Sequence, residues 1–171
     1  LTMSESKQPT FLVNAEATPV LVQVHGKANY LNCNHFREFM QSMIHAGKTK
    51  ILINFTHCKG MDSTFLGILA GSAIKLSRLT PSGCLSIGQL DERNRELVTN
   101  LGLQSLLHME ENLPGNPSNS LTKLENREVN DATEVLNAHQ HLVEAEPSNA
   151  EKFEDVIAFL KKQIEEDSDI S

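Results

Sequence analysis

Hydrophobic positions change period several times along the chain, and each change marks an element. Residues 11–15 form a short extended run, and Val20, Leu21, Val22 and Val24 form an apolar, β-branched strand ending at Gly26. Phe36, Phe39, Met40 and Met43 then recur at spacings of three and four. This predicts a helix capped by Asn32 or Asn34, running to about Ala46 and stopped by Gly47. Ile51, Leu52, Ile53 and Phe55 read as a buried strand, and residues 56–61 as a tight loop in which Gly60 reverses the chain. A second helix starts at Asp62 or Ser63 and reaches about Leu79. Pro81, Ser82 and Gly83 make a turn, and residues 84–87 a further strand. Asp91 caps a third helix with Leu97, Val98 and Leu101 on one face and Gly102 at its end, and residues 106–109 close the set as a short strand. The order is β-β-α-β-α-β-α-β. Strands separated by helices pair in parallel through right-handed crossovers, while the first two, joined by a short turn, pair antiparallel. The predicted class is therefore α/β: a small mixed sheet with helices packed on it.

The pattern then breaks. Residues 111–120 are rich in Pro, Gly, Asn and Ser and have little to bury, so 111–124 is assigned as a linker after a domain of residues 10–110. Beyond it lie two amphipathic stripes. Val129, Ala132, Val135, Leu136, His139, Leu142 and Val143 form one; Phe153, Val156, Ile157, Leu160 and Ile164 form the other. Glu146, Pro147, Ser148 and Asn149 separate them, with Ser148 or Asn149 as N-cap. Residues 125–171 are thus expected to form a helical hairpin that packs on the domain or mediates self-association or partner choice. Residues 1–9 are expected to be a flexible N-terminus.

Composition narrows the function. With no Trp, one Tyr and seven Phe among 171 residues, the core must be mainly aliphatic. No run approaches the ~18 apolar residues needed to span a bilayer, and residues 1–10 have no signal-peptide apolar region, so no membrane is expected and a cytoplasmic setting is. Residues 1–112 carry ten Lys/Arg against nine Asp/Glu, and residues 113–171 five against thirteen, net +1 and −8 within a total of −7. The acidic charge is thus concentrated beyond the linker. No basic patch suited to a phosphate backbone exists, which argues against nucleic acid. Cys33, Cys58 and Cys84 show no C-x-x-C pairing and are expected as reduced thiols. His57 beside Cys58 lacks a second ligand pair, and His139 and His141, two apart, point in different directions on a helix, so no metal is expected. Ser63 lacks a G-x-S-x-G elbow, and no Walker-type loop occurs. Neither an enzyme nor a bound cofactor is expected.

Chemistry concentrates where the second helix begins. Asp62 can cap it, Ser63 is expected at its exposed start, and the helix N-terminus carries unpaired N–H groups and partial positive charge. The helix is apolar on most of its circumference, through Phe65, Leu66, Ile68, Leu69, Ala73, Ile74 and Leu76. Ser63, Gly67, Ala70, Gly71 and Ile74 share a smooth face that another chain can approach closely. Two occupants fit that face: another protein, or the C-terminal hairpin.

The stretch Asn54-Phe55-x-x-Cys58-x-x-Met61-Asp62-Ser63-Thr64-Phe65-Leu66-Gly67-x-Leu69 resembles the signature of the STAS domain of anti-sigma factor antagonists. The resemblance extends over roughly residues 10–110. Asn54 stands where that family commonly has Asp, Phe65 where it has Gly, and Asn29 where an Asp often contacts a partner or nucleotide. The resemblance implies a STAS-like fold and a phosphorylation switch. Ser63 would be the phosphoacceptor, with Asn29, Met61, Asp62, Ser63, Thr64 and Gly67 binding the partner and Thr64 a secondary acceptor. Unmodified, such a protein binds a serine-kinase anti-sigma factor; phosphorylated, it lets go; a serine phosphatase resets it. Two other roles known for STAS domains are a nucleotide- or small-molecule-sensing module, here using residues 26–32 and the loop before Ser63, and a soluble subunit of a transport complex.

Overall fold

A computed structural model of the chain describes residues 9–111, 113, 121–125 and 131–170, with only the backbone of residues 169 and 170. In chain order the strands and α-helices are β1 (Phe11–Asn14), β2 (Val20–Ala28), α1 (Asn34–His45), β3 (Lys50–Met61), α2 (Ser63–Ser77), β4 (Cys84–Gly88), α3 (Glu92–Asn100), β5 (His108–Glu110), β6 (Thr122–Lys123), α4 (Ala132–Ala145), α5 (Asn149–Lys152) and α6 (Glu154–Ile170), with a 3-10 turn at Leu103–Ser105 before β5. The strands make one sheet in the order β5-β4-β3-β2-β1-β6. β2, β3, β4 and β5 pair in parallel, and β1 pairs antiparallel with β2 and β6. The expected α/β architecture is present: a mixed sheet with helices packed on it and extra C-terminal helices beyond.

Three elements of the domain and linker differ from the sequence expectation, and the second C-terminal helix is divided at Phe153 into α5 and α6. β3 runs on to Met61, where a loop was expected after Phe55. Its pairing with β2 continues to Ala28↔Met61 through register shifts after Gln23 and after Gly26. Each shift places one more residue on β3 than on β2, as in a β-bulge, and Gly26 takes a positive φ of 76° there. Backbone pairing, not apolar side chains, keeps this polar segment in the sheet. Second, within the segment assigned as linker, Thr122 and Lys123 add a strand to the edge at β1. Third, α1 is preceded by Cys33 without a side-chain cap bond. Asn32 instead donates its amide to the Lys27 carbonyl at 2.7 Å, holding the preceding loop. Expectations for residues 1–8, for most of 112–120 and for Val129 fall outside the described residues.

The core lies against the sheet. Phe11, Phe36, Phe55 and Phe65 meet there, with ring centroids 4.9 to 6.2 Å apart. Phe65 is fully buried at the centre of this group. α2 is buried from Thr64 through Ile74 without a break, and again at Leu76. α1 and the sheet cover part of it, and α4 covers the rest. α4 buries Ala138, His139 and Leu142, and α6 packs on α4. The corner between α4 and α5 is pinned by Asn149. Its buried amide donates to the carbonyls of Leu101 and Leu142, each at 2.9 Å, tying the hairpin to the end of α3. The side chain of Lys152 donates to the Asn100 carbonyl beside it.

Phe65→Ala removes the ring shared by three neighbours and leaves a cavity that a close-packed core closes only in part. It should lower the unfolding free energy by about 3–5 kcal/mol, read as a lower midpoint in urea denaturation with an unchanged slope.

Candidate functional site

The site is built at the junction of β3 and α2, where Asp62 is the single intervening residue. Its backbone is extended, and it uses both carboxylate oxygens. One accepts the N–H of Phe65 at 2.9 Å, the expected helix cap. The other accepts the N–H of Tyr30 at 2.8 Å. Asp62 also donates its own N–H to the Ala28 carbonyl at 3.1 Å. One side chain thus joins the loop after β2 to the start of α2. That loop carries Asn29, whose side-chain oxygen accepts the N–H of Leu31 at 2.9 Å and of Asn32 at 3.3 Å. Asn29, Met61 and Asp62 come together around a depression of about 230 Å³ that Lys27, Lys59 and Arg93 also line. Thr64, by contrast, is buried.

Ser63 is the first residue of α2 and is half-buried, not exposed as the sequence suggested. Its hydroxyl lies 2.8 Å from Nε2 of His139 on α4. Nδ1 of the same ring lies 2.8 Å from the Val135 carbonyl. A carbonyl only accepts, so Nδ1 carries a proton. In the neutral ring Nε2 is then the acceptor, and Ser63 donates its hydroxyl proton to it. His139 is buried and meets the edge of Phe153 at 5.0 Å, which fixes its orientation.

The small-residue face of α2 is occupied by the same helix. A Cβ placed on Gly67 would fall 2.2 Å from the carbonyl oxygen of Ala138, and one on Gly71 would fall 2.5 Å from Nδ1 of His141. Only glycine permits that approach. Contacts advance together along both helices, from Gly67 with Ala138 and Gly71 with His141 to Arg78 with Glu144, so α4 runs parallel to α2. Arg37 on α1 pairs with Glu134 at 2.6 Å, and Arg78 with Glu144 at 2.9 Å. Of the two occupants the sequence allowed, the hairpin holds this face.

The structure thus gathers Asn29, Met61, Asp62 and Ser63 at one end of α2 and places Gly67 one turn further on, under α4. What the sequence did not show is His139 as a partner of Ser63. It stood in the apolar stripe of α4, and a lone polar ring on such a stripe was the available signal. His141, two residues on, faces Gly71 and Lys75 instead, so the two histidines do diverge as expected.

No family model matches the chain, and no curated protein does. Solved structures do. The anti-sigma factor antagonist SpoIIAA in its unphosphorylated form superposes with a TM-score of 0.51 at 19% identity, over 60% of this chain and 89% of SpoIIAA. The chain shares the fold of SpoIIAA. The Bacillus cell fate determinant SpoIIAA in the phosphorylated form superposes with a TM-score of 0.49 at 20% identity, over 58% and 90% of the two chains. At these identities the likeness to SpoIIAA concerns fold. Among the described residues, no helix is long and apolar enough to cross a membrane, and no group of three or more His, Cys, Asp or Glu is placed to hold a metal.

A second depression, of about 530 Å³, lies over the ends of β2 and β3. His25 and His57 stack there with centroids 4.7 Å apart, flanked by Lys27 and Lys59, and among the described residues no carboxylate lines it. Burial, and then the neighbouring His57, lower the pKa of His25. Burial at the α2–α4 seam, followed by Lys75, likewise lowers that of His141, against a raising influence from Glu144 and Glu134. A histidine whose folded pKa lies below its ordinary 6.5 binds protons more readily once released. Its contribution is therefore intact above that value and is lost as pH falls through it. Taking the protein from about pH 7.5 to about pH 5.5 should thus loosen α4. The measure is intrinsic-rate-corrected amide exchange over residues 132–145, and His141→Gln should flatten the dependence.

Proposed function

We propose that the chain is a non-enzymatic switch, an anti-sigma factor antagonist that binds a serine-kinase anti-sigma factor while Ser63 is unmodified and releases it when Ser63 is phosphorylated. A serine phosphatase would reset it. The observation that carries this reading is the hydroxyl of Ser63 on the first residue of α2, capped by Asp62, in a fold shared with an anti-sigma factor antagonist. A phosphate adds about −1.5 to −2 charges at neutral pH. The N–H groups and dipole at the start of a helix tolerate that charge, so the fold survives. A partner surface matched to a neutral hydroxyl does not tolerate it, and the Asp62 carboxylate beside it deepens the mismatch. Asn29 and Met61, drawn to the same end of α2, extend the contact surface. Thr64, being buried, contributes through α2 and not as an acceptor.

One observation favours a second reading, a small-molecule sensor. The stacked His25 and His57 with Lys27 and Lys59 form a cavity with no carboxylate among its described lining residues, suited to an anionic ligand. An anion there would oppose the lowering of the His25 pKa, so titration with ATP or inorganic phosphate should move the imidazole NMR signals of the pair. Unmoved signals remove this reading.

The principal test is incubation with an ATP-binding anti-sigma kinase and ATP. Mass spectrometry should place one phosphate on Ser63, and Ser63→Ala should block it. Ser63→Asp should bind the kinase at least tenfold more weakly than Ser63→Ala. Equal phosphorylation of Ser63→Ala and wild type would refute the acceptor assignment; equal binding of the two variants would refute the charge mechanism.

A further inference from the structure

The geometry points to α4 as an internal occupant of the Ser63 face, and we propose that its docking and the phosphorylation of Ser63 exclude one another. This inference rests on the reading of Ser63 as the phosphoacceptor.

Two contacts leave no space for a phosphate. The Ser63 oxygen and Nε2 of His139 are already at hydrogen-bond distance, 2.8 Å. Placing a phosphoryl group between them requires the ring to withdraw by about 3 Å, roughly one further hydrogen-bond length. The ring cannot withdraw alone. It is held by the Val135 carbonyl on one side and by the Phe153 ring on the other. Nor can α4 slide sideways in place, because the Ala138 carbonyl sits in the notch that Gly67 leaves. The helix must lift as a unit.

The donor side gives the same answer. Phosphoryl transfer needs the attacking hydroxyl in line with the γ-phosphate of ATP. In the docked state the Ser63 hydroxyl is engaged with Nε2 of His139, which closes that approach. A kinase therefore acts on the lifted form, in which Ser63 Oγ attacks the γ-phosphorus, the bond to the ADP oxygen breaks and the hydroxyl proton leaves to a base of the kinase. Once made, the phosphate opposes redocking. It brings about −1.5 to −2 charges against a segment, residues 113–171, that already carries thirteen acidic and five basic side chains.

The hairpin is also constructed to lift at one end. Asn149 and Lys152 pin the α4–α5 corner to the end of α3. The half of α4 over Ser63 is tied by one hydrogen bond from a hydroxyl, the Arg37–Glu134 pair and the seam at Gly67. Coupling of this kind is reciprocal: whatever lifts α4 exposes Ser63 to the kinase, and phosphate on Ser63 lifts α4.

The test uses the full chain with phosphoserine installed at position 63 during translation, so no kinase is needed. Amide exchange over residues 132–145 should accelerate at least tenfold while residues 50–77 keep their protection. Unchanged or slower exchange overturns the proposal; slower exchange would mean that His139 clasps the phosphate. In a second arm, Ala138→Glu places bulk and charge into the notch and leaves residues 10–110 untouched. Combined with Ser63→Cys, it should raise the thiol-labelling rate at position 63 at least tenfold, and an unchanged rate overturns the proposal. Should Ala138→Glu disturb folding, Glu134→Lys breaks the pair with Arg37 at a half-buried position and should raise the rate about threefold. The two readings fail separately. A kinase that modifies Ser63 equally fast in wild type and Ala138→Glu sinks the exclusion and leaves the antagonist role. An α4 that lifts with phosphoserine in a chain that no such kinase modifies, even as Ala138→Glu, sinks the antagonist role and leaves the steric exclusion.

Discussion

The approach of α4 to α2 at Gly67 sets the arrangement above the sheet. A Cβ there would meet the Ala138 carbonyl at 2.2 Å, so the two backbones touch with no side chain between them. From that contact the rest of the seam follows. Ala138 in the notch brings His139 over the first turn of α2, since side chains on a helix lean toward its N-terminus. It also brings His141 beside Gly71 and Glu144 beside Arg78. α2 then has the sheet and α1 on one side and α4 on the other, which is why an unbroken run from Thr64 to Ile74 can be buried in so small a protein. A helix of that composition left uncovered would present a large apolar patch to water.

Asp62 does for the junction below what Gly67 does for the seam above. Its two oxygens serve two different elements, the first turn of α2 and the loop after β2. The position of Ser63 is therefore fixed from both directions: its backbone by the Asp62 cap, its side chain by His139. The positions where the sequence departs from the signature it resembles read differently in this light. Phe65 fills the centre of an aromatic cluster with Phe11, Phe36 and Phe55 and is a core residue. Asn54 and Asn29 both accept bonds from their own following backbone, Asn54 at the first register shift of β3 and Asn29 in the loop after β2. None of the three removes a group from the first turn of α2.

Much of the domain was legible because its signals were local. Val20 to Val24, Ile51 to Phe55 and the Asp91 cap of α3 each announce an element through period, β-branching or capping, and each is where it was expected. β3 beyond Phe55 was not legible. Its polar residues and Gly60 look like a loop, and what makes them a strand is pairing with β2 across two register shifts, a long-range property. β6 was missed for a related reason: two residues, Thr122 and Lys123, have no period, and only the open edge at β1 recruits them. At the site, Asp62 as a cap was readable from its place before an apolar helix. The bond to Tyr30 was not, and neither was the meeting of Ser63 with His139, residues 76 positions apart. The stripe on α4 showed which face would be buried. It could not show that one member of the stripe would find a polar partner.

How firmly the hairpin must hold follows from what such a device has to do. If a partner binds only the lifted form, its apparent affinity falls by the fraction of molecules lifted. A seam ten times in favour of docking weakens binding about tenfold, near 1.4 kcal/mol; one that favours docking by about 5.5 kcal/mol weakens it roughly ten-thousand-fold and silences the site. The seam has features of the weaker kind. Toward the corner, Arg78 and Glu144 are both exposed, and pairs in that setting contribute about 0–1 kcal/mol, so charge adds little to what Asn149 holds there. α6, which backs α4, leaves Val156 and Phe159 exposed and so buries only part of its own apolar stripe. Against this, Asn149 is fully buried and bonded to two carbonyls, and its release would strand polar groups of the α3 end. The two ends of α4 therefore differ in what it costs to move them. The corner at Asn149 is the expensive end and the Ser63 end the inexpensive one, so lifting about the corner exposes Ser63 without unfolding the domain beneath it.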